Sequence, residues 1–259
     1  YQQAIAASPE SAFLYRDLAN VERQAGQLAD ALEHYRRAVQ LDSSDAKSLA
    51  AIGEILEKQG DDLGALAAYQ RAAAIEPADV PAGAITRVGA SVALAKLPEE
   101  YRAIPGESAL TRAHIAALVG VRLEPLLAQA MPQQVIITDL RDNWAQPWIT
   151  PVVRSGVMQT LPNYEFEPSR LVRRGELAAT VSRLLSLITV QKPELAKKWL
   201  GARLEINDVP STHLSYPAVS MAVASGVMPL ANGNFDLLRP VTGVEAMESI
   251  GRLEALARP

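Results

Sequence analysis

A spacing of 34 residues constrains this chain more than any other feature. Tyr1, Tyr35 and Tyr69 open YQQAIAASPE, YRRAVQLDSS and YQRAAAIEPA, three versions of one segment. Gly26 and Gly60 keep the same interval, as do Ala4, Ala38 and Ala72, while Pro9 and Pro77 flank Ser43 in the matching slot. A fixed period of this length means stacked units, each too small to bury its apolar face alone. Small residues at fixed phase mark where helices touch, and a glycine between apolar stretches marks a turn.

This pattern resembles the tetratricopeptide repeat, on residues 1 to about 79. The phase gives units at 12–45 and 46–79, preceded by the second helix of a truncated one. Four helices in two antiparallel pairs are predicted, with Ala31, Ala38, Ala65 and Ala72 at close contacts. A further helix at about 80–97, carrying Ile85, Val88, Val92 and Leu94, is expected to cap the solenoid, since a terminal apolar end must be covered. The resemblance implies a protein-binding concave face built from the first helix of each pair, placing Arg16, Asn20 and Arg23 beside Lys47, Glu54 and Glu57. The basic members can hold a carboxylate; the other reading is a solvated face with charge pairs inside each helix.

Composition bounds the rest. With 259 residues, 49% of them hydrophobic, the chain is long enough for about two cored domains. Its formal charge of -4 is N-terminal: residues 1–97 hold 9 Lys/Arg and 13 Asp/Glu, and the remainder holds 16 of each. No basic face of the kind nucleic acid demands is visible. Cysteine is absent, which removes thiol chemistry and thiolate metal sites, and no apolar run approaches the roughly 18 residues of a membrane span. The chain opens mid-repeat, so a secretion or lipoprotein signal is expected to belong upstream of Tyr1.

After Leu97, LPEEYRAIPGES reads as a domain boundary. A second period, near 69 residues, follows: Asp139 matches Asp208, Gly156 matches Gly226, Phe166 matches Phe235 and Glu176 matches Glu245. The first unit carries Asn143-Trp144-Ala145, Phe166-Glu167-Pro168 and Arg173-Arg174-Gly175-Glu176; the second carries Asp208-Val209-Pro210, His213 and Thr242-Gly243-Val244-Glu245. Thr111-Arg112-Ala113-His114 opens the closing helix of a third unit whose front half is missing or replaced. These units resemble the S-layer homology module, over about residues 104–259 and two and a half repeats. The predicted fold is therefore all-α throughout: a helical solenoid over residues 1–97, followed by a helical pseudo-repeat domain.

The motif sets a puzzle in electrostatics. Cations at a helix start oppose the macrodipole, by about 0.3–1 kcal/mol each, yet Arg112, Arg173 and Arg174 sit there. Thr242 and Glu245 spell a reciprocal cap, Thr111 keeps its first half and Glu176 its second. The resemblance implies that the motif arginines hold an anionic cell-wall glycan or peptidoglycan in a groove between units, with Arg112, Arg174, Arg173, Trp144, Asp139 and Asp208 as its residues. On that reading Arg112 and Arg174 each reach a surface groove with donors left free. The other reading pairs Arg112 or Arg174 with Asp139, Asp142 or Asp208 to hold adjacent units together. Trp144 and Trp148 can stack on a sugar or belong to the core, where Phe166 and Phe235 are assigned.

Only three histidines are present, phosphate-binding glycine loops are absent, and neighbouring carboxylates such as Asp61-Asp62 point apart. No enzyme, cofactor or metal site is expected. The resulting expectation is a non-catalytic cell-envelope protein that grips a protein through one module and a wall or surface polymer through the other. The alternative is a scaffold subunit whose second module makes protein contacts only.

Overall fold

The structure, a computed structural model, describes residues 1–200, 202 and 204–258. The chain separates into two compact units, Tyr1–Leu97 and Pro98–Pro259. Both are all-α, and among the described residues only isolated bridges stand in for β structure.

The first unit is a helical stack: α1 (Gln2–Ala7), α2 (Ala12–Gln24), α3 (Leu28–Leu41), α4 (Ala46–Lys58), α5 (Asp62–Ile75) and α6 (Ala84–Ala95). Gly26 and Gly60 both adopt φ +80°, a conformation that costs a residue with a side chain, and so let each pair fold back on itself. Ala31, Ala38, Ala65 and Ala72 are fully buried, as the period predicts. Tyr35 and Tyr69 are buried beside them, each hydroxyl donating to a neighbouring helix, to Asn20 Oδ1 at 2.6 Å and Glu57 Oε2 at 2.9 Å. Asp45 and Asp61 cap α4 and α5 by accepting from the Ser48 and Gly64 amides. The expected end helix starts four residues late, because a left-handed Gly83 occupies its beginning, after a 3₁₀ turn at Pro77–Asp79. Val88 is buried against the preceding pair, whereas Leu94 faces solvent. Ala38→Leu forces three extra carbons into a contact with no space, and thermal unfolding should show a loss of about 1–3 kcal/mol.

The second unit contains α7 (Glu99–Ala103), α8 (Arg112–Arg122), α9 (Glu124–Leu127), α10 (Gln146–Arg154), α11 (Arg174–Gln191), α12 (Pro193–Leu200), α13 (Tyr216–Ala224) and α14 (Gly243–Ala257). Its plan is threefold. The residues just before α8, α11 and α14 form a closed ring of main-chain hydrogen bonds: Leu110 N–H donates to Val241 O at 2.8 Å, Val241 N–H to Val172 O at 3.0 Å, and Val172 N–H to Leu110 O at 2.8 Å. All three side chains are buried, as are Phe166 and Phe235. The front half absent from the first pseudo-repeat is replaced by α7 and a 3₁₀ turn at Ile104–Gly106, with Tyr101 and Ile104 buried.

Candidate functional site

Two of the junctions between pseudo-repeats are each built from an aspartate, a loop and the start of the preceding helix. The Asp139 carboxylate accepts from Phe166 N and Glu167 N at 2.8 and 2.7 Å, and Asp208 accepts from Phe235 N and Asp236 N, both at 2.7 Å. These bonds hold Glu167 and Asp236 at φ 54° and 60°, uncommon for residues with side chains. Although burial raises it, the Asp208 pKa stays below the usual carboxylate range because the two loop amides favour the charged form. On the far side of the same peptide groups, Arg112 Nε donates to Phe166 O and Arg174 Nε to Phe235 O, both at 2.6 Å. One peptide is thus sandwiched between a carboxylate and a guanidinium, twice over.

The guanidiniums are consumed locally. Arg112 Nη2 donates to Gln159 O at 2.6 Å; Arg174 Nη2 donates to Pro229 O at 3.1 Å, while its Nη1 pairs with Glu245. Each lies over the ring of its loop phenylalanine, 4.4 and 4.5 Å from the Phe166 and Phe235 centroids. Burial pulls both arginines below their ordinary pKa, with Arg170 and Arg239 nearby adding to it. The helix-start puzzle resolves here. The first amides of α8 and α11 also donate to loop carbonyls, from Arg112 and Ala113 to Arg170 O and Pro168 O, and from Arg174 and Gly175 to Arg239 O and Leu237 O. Arginine extends a set of donors aimed at a strip of carbonyls, and those bonds outweigh the small penalty from the dipole.

Two expectations therefore change. Arg112 and Arg174 are buried, at 8% and 6% exposure, although Arg112 borders a cleft of about 220 Å³. Nor do they pair directly with Asp139, Asp142 or Asp208; an intervening peptide links each to its aspartate. At the third junction Gly243 replaces the arginine and its amide donates to Glu107 O at 2.8 Å. A Cβ there would collide with the Ile104 carbonyl.

The caps differ as well. Thr111 and His114 form a full reciprocal box, His114 Nδ1 accepting from Thr111 N at 3.2 Å. Arg173 N donates to Glu176 at 3.0 Å. Thr242 accepts from Glu245 N at 3.3 Å, but the Glu245 carboxylate turns to Arg174 and Arg239 rather than closing the box expected from sequence. Burial holds the His114 imidazole below its ordinary pKa, against the opposing pull of Glu107 and Glu100. The folded state then binds fewer protons than the unfolded one, so stability is complete above the unfolded value of about 6.5 and falls as pH drops below it. Melting the chain at pH 7.5 and pH 5 should show that loss, and His114→Gln should reduce it.

Beside α11 lies an open groove of about 890 Å³, lined by Arg173, Glu176, Asp208, His213, Asp236 and Arg239 among others. Asp208 shows only the lining side of an engaged carboxylate, Glu176 is held by Arg170 at 2.7 Å, and Arg239 by Glu245 at 3.1 Å. The exposed Arg173 guanidinium has no partner among the described residues. Trp144 is half-buried in an aromatic row, its centroid 5.6 Å from His114 and 6.1 Å from Trp148, which in turn lies 6.2 Å from Tyr101. Sequence reading passed over Asp236 and Arg239, although they align with Glu167 and Arg170 in the second period. It also passed over the bidentate Arg122–Glu254 pair that ties α8 to α14.

In the first unit both candidate arginines are already engaged. Arg16 pairs with Asp45 at 3.0 Å, Arg23 with Glu54 at 2.6 Å, and Glu57 accepts two bonds from Arg87 at 2.8 and 3.0 Å. Asn20 accepts from Tyr35, and among the described residues Lys47 is the member of the expected set that projects without a partner. The pairs cross between neighbouring first helices, so neither a ready carboxylate clamp nor pairing within single helices describes this face.

Comparison with known proteins agrees with this division. A family model for the TPR repeat matches residues 19–60 and one for the S-layer homology domain matches residues 137–178. The chain carries both kinds of module. A cellulosome-anchoring protein of Acetivibrio thermocellus is 27% identical over 119 residues, which is 45% of this chain and 25% of that protein. The chain thus spans about a quarter of that relative's length. Among the described residues no helix is long and apolar enough to cross a membrane, and no group of His, Cys, Asp or Glu is placed to hold a metal ion.

Proposed function

We propose that this chain is a non-catalytic protein of the cell envelope whose tetratricopeptide unit binds a partner protein and whose S-layer-homology-like unit attaches to an anionic wall or surface polymer. The observation that carries the second half is the open groove edged by Arg173, a cation with no partner among the described residues, beside a cavity of about 890 Å³. The two matched modules and the anchoring protein among its relatives support the envelope assignment. Glu176 and Asp208 are tied up in ion pairs and amide bonds, which supports binding rather than acid–base chemistry.

The scaffold alternative draws on a different observation. Leu238, 72% exposed, lines the groove, and Leu214, 96% exposed, stands between two lining residues. Exposed leucines of this kind suit a protein contact. Sedimentation of the chain with purified peptidoglycan sacculi at low salt separates the readings. Polymer attachment predicts that the chain pellets and is released as salt screens the contact. A chain that stays in the supernatant ends the polymer reading and leaves the scaffold.

A further inference from the structure

The pseudo-repeats do not offer equivalent surfaces. Counted from Asp139 and Asp208, Trp144 occupies the place of His213. Counted from the residues that precede α8 and α11, Thr111, Ala113, His114 and Ala117 occupy the places of Arg173, Gly175, Glu176 and Ala179. At the second junction His213 is exposed, Gly175 and Ala179 are half-buried, and the space between them is the groove. At the first junction Trp144 lies against His114, and the matching floor residues Ala113 and Ala117 are 3% and 0% exposed. Trp148 seals the same side: a Cβ at Gly120 of α8 would come within 2.6 Å of its own Cβ.

We infer that the chain binds polymer through the groove at its second junction alone, and that Trp144 closes the counterpart at the first. This rests on the polymer reading above and adds to it the number of sites and the reason the first junction is not one. The ligand class is a carboxylate-bearing or otherwise anionic glycan, met by the Arg173 guanidinium, which has no partner among the described residues; the first junction has Thr111 in that position. Trp144 is a plug, not a stacking platform for sugar.

Sacculi serve as the probe for the whole chain and three variants, each checked for native helicity. His213→Trp copies the plug into the second junction and should weaken sedimentation about tenfold or more, as should Arg173→Gln. Trp144→Ala should bind within about twofold of the parent; if it fails to fold, Trp144→Phe takes its place with the same expectation. Parent binding that survives both His213→Trp and Arg173→Gln overturns the inference, as does a tenfold loss in a folded Trp144 variant. A parent chain that does not pellet overturns the polymer reading instead, so the two failures are distinct.

Discussion

Gly243→Arg, which would restore the residue type found at matching positions 112 and 174, is expected to unfold residues 98–259 rather than improve them. The side chain would begin inside the Ile104 carbonyl, at a point where the Gly243 amide bonds Glu107 O and α14 meets the turn that replaces a missing loop. Ordinary overpacking costs about 1–3 kcal/mol because side chains can shift. Here the obstacle is main chain on both sides, so even Gly243→Ala should exceed that range. Circular dichroism and thermal melts measure it directly. A Gly243→Arg protein that melts like the parent would mean that the third junction is not closed as described.

Arg174→Ala should destabilise the same unit by about 3–5 kcal/mol, since it leaves the partly buried Glu245 carboxylate with the exposed Arg239 alone and strands two loop carbonyls. For a unit of this size that corresponds to a drop of about 6 °C or more in melting temperature. Arg174→Lys should rescue little, because an ammonium cannot reach three acceptors as a planar fork does. Arg173→Ala, one residue earlier and exposed, should melt within about 0.5 kcal/mol of the parent. The contrast decides which neighbour faces inward. Normal melting of Arg174→Ala with loss of sacculus binding would assign the buried arginine to the ligand after all.

The sequence made some of this plain. A residue set repeating at fixed phase betrays helix contacts, and so Ala31, Ala38, Ala65 and Ala72 were identifiable as buried without coordinates. The electrostatic oddity at Arg173 and Arg174 was legible as an oddity, but its resolution was not. Arg174 is satisfied largely by main-chain carbonyls of residues 229 and 235, and carbonyls carry no side-chain signature. Asp139 and Asp208 were picked out by their period, yet the donors they accept from are amides 27 and 28 residues on, equally silent in sequence. Gly243 stands where the other units have Arg112 and Arg174, but its amide answers to the Glu107 carbonyl, in a segment that has no counterpart in the other repeats. In the first unit Arg16 and Arg23 pair with Asp45 and Glu54, 29 and 31 residues away. That pairing depends on how neighbouring units tilt, which a period alone does not specify.

The ring joining Leu110, Val172 and Val241 has a consequence for how the protein is made. Each helix pair of the first unit can settle on the one before it as synthesis proceeds, since its contacts span little more than one repeat. The ring cannot be completed until Val241 has left the ribosome, and its longest bond then closes a loop of 131 residues between Leu110 and Val241. Closure at that separation is slow and entropically costly. The second unit should therefore be a late, all-or-none event: a nascent chain halted before residue 241 carries a finished stack followed by two pseudo-repeats open to proteases, and the same chain released whole resists them.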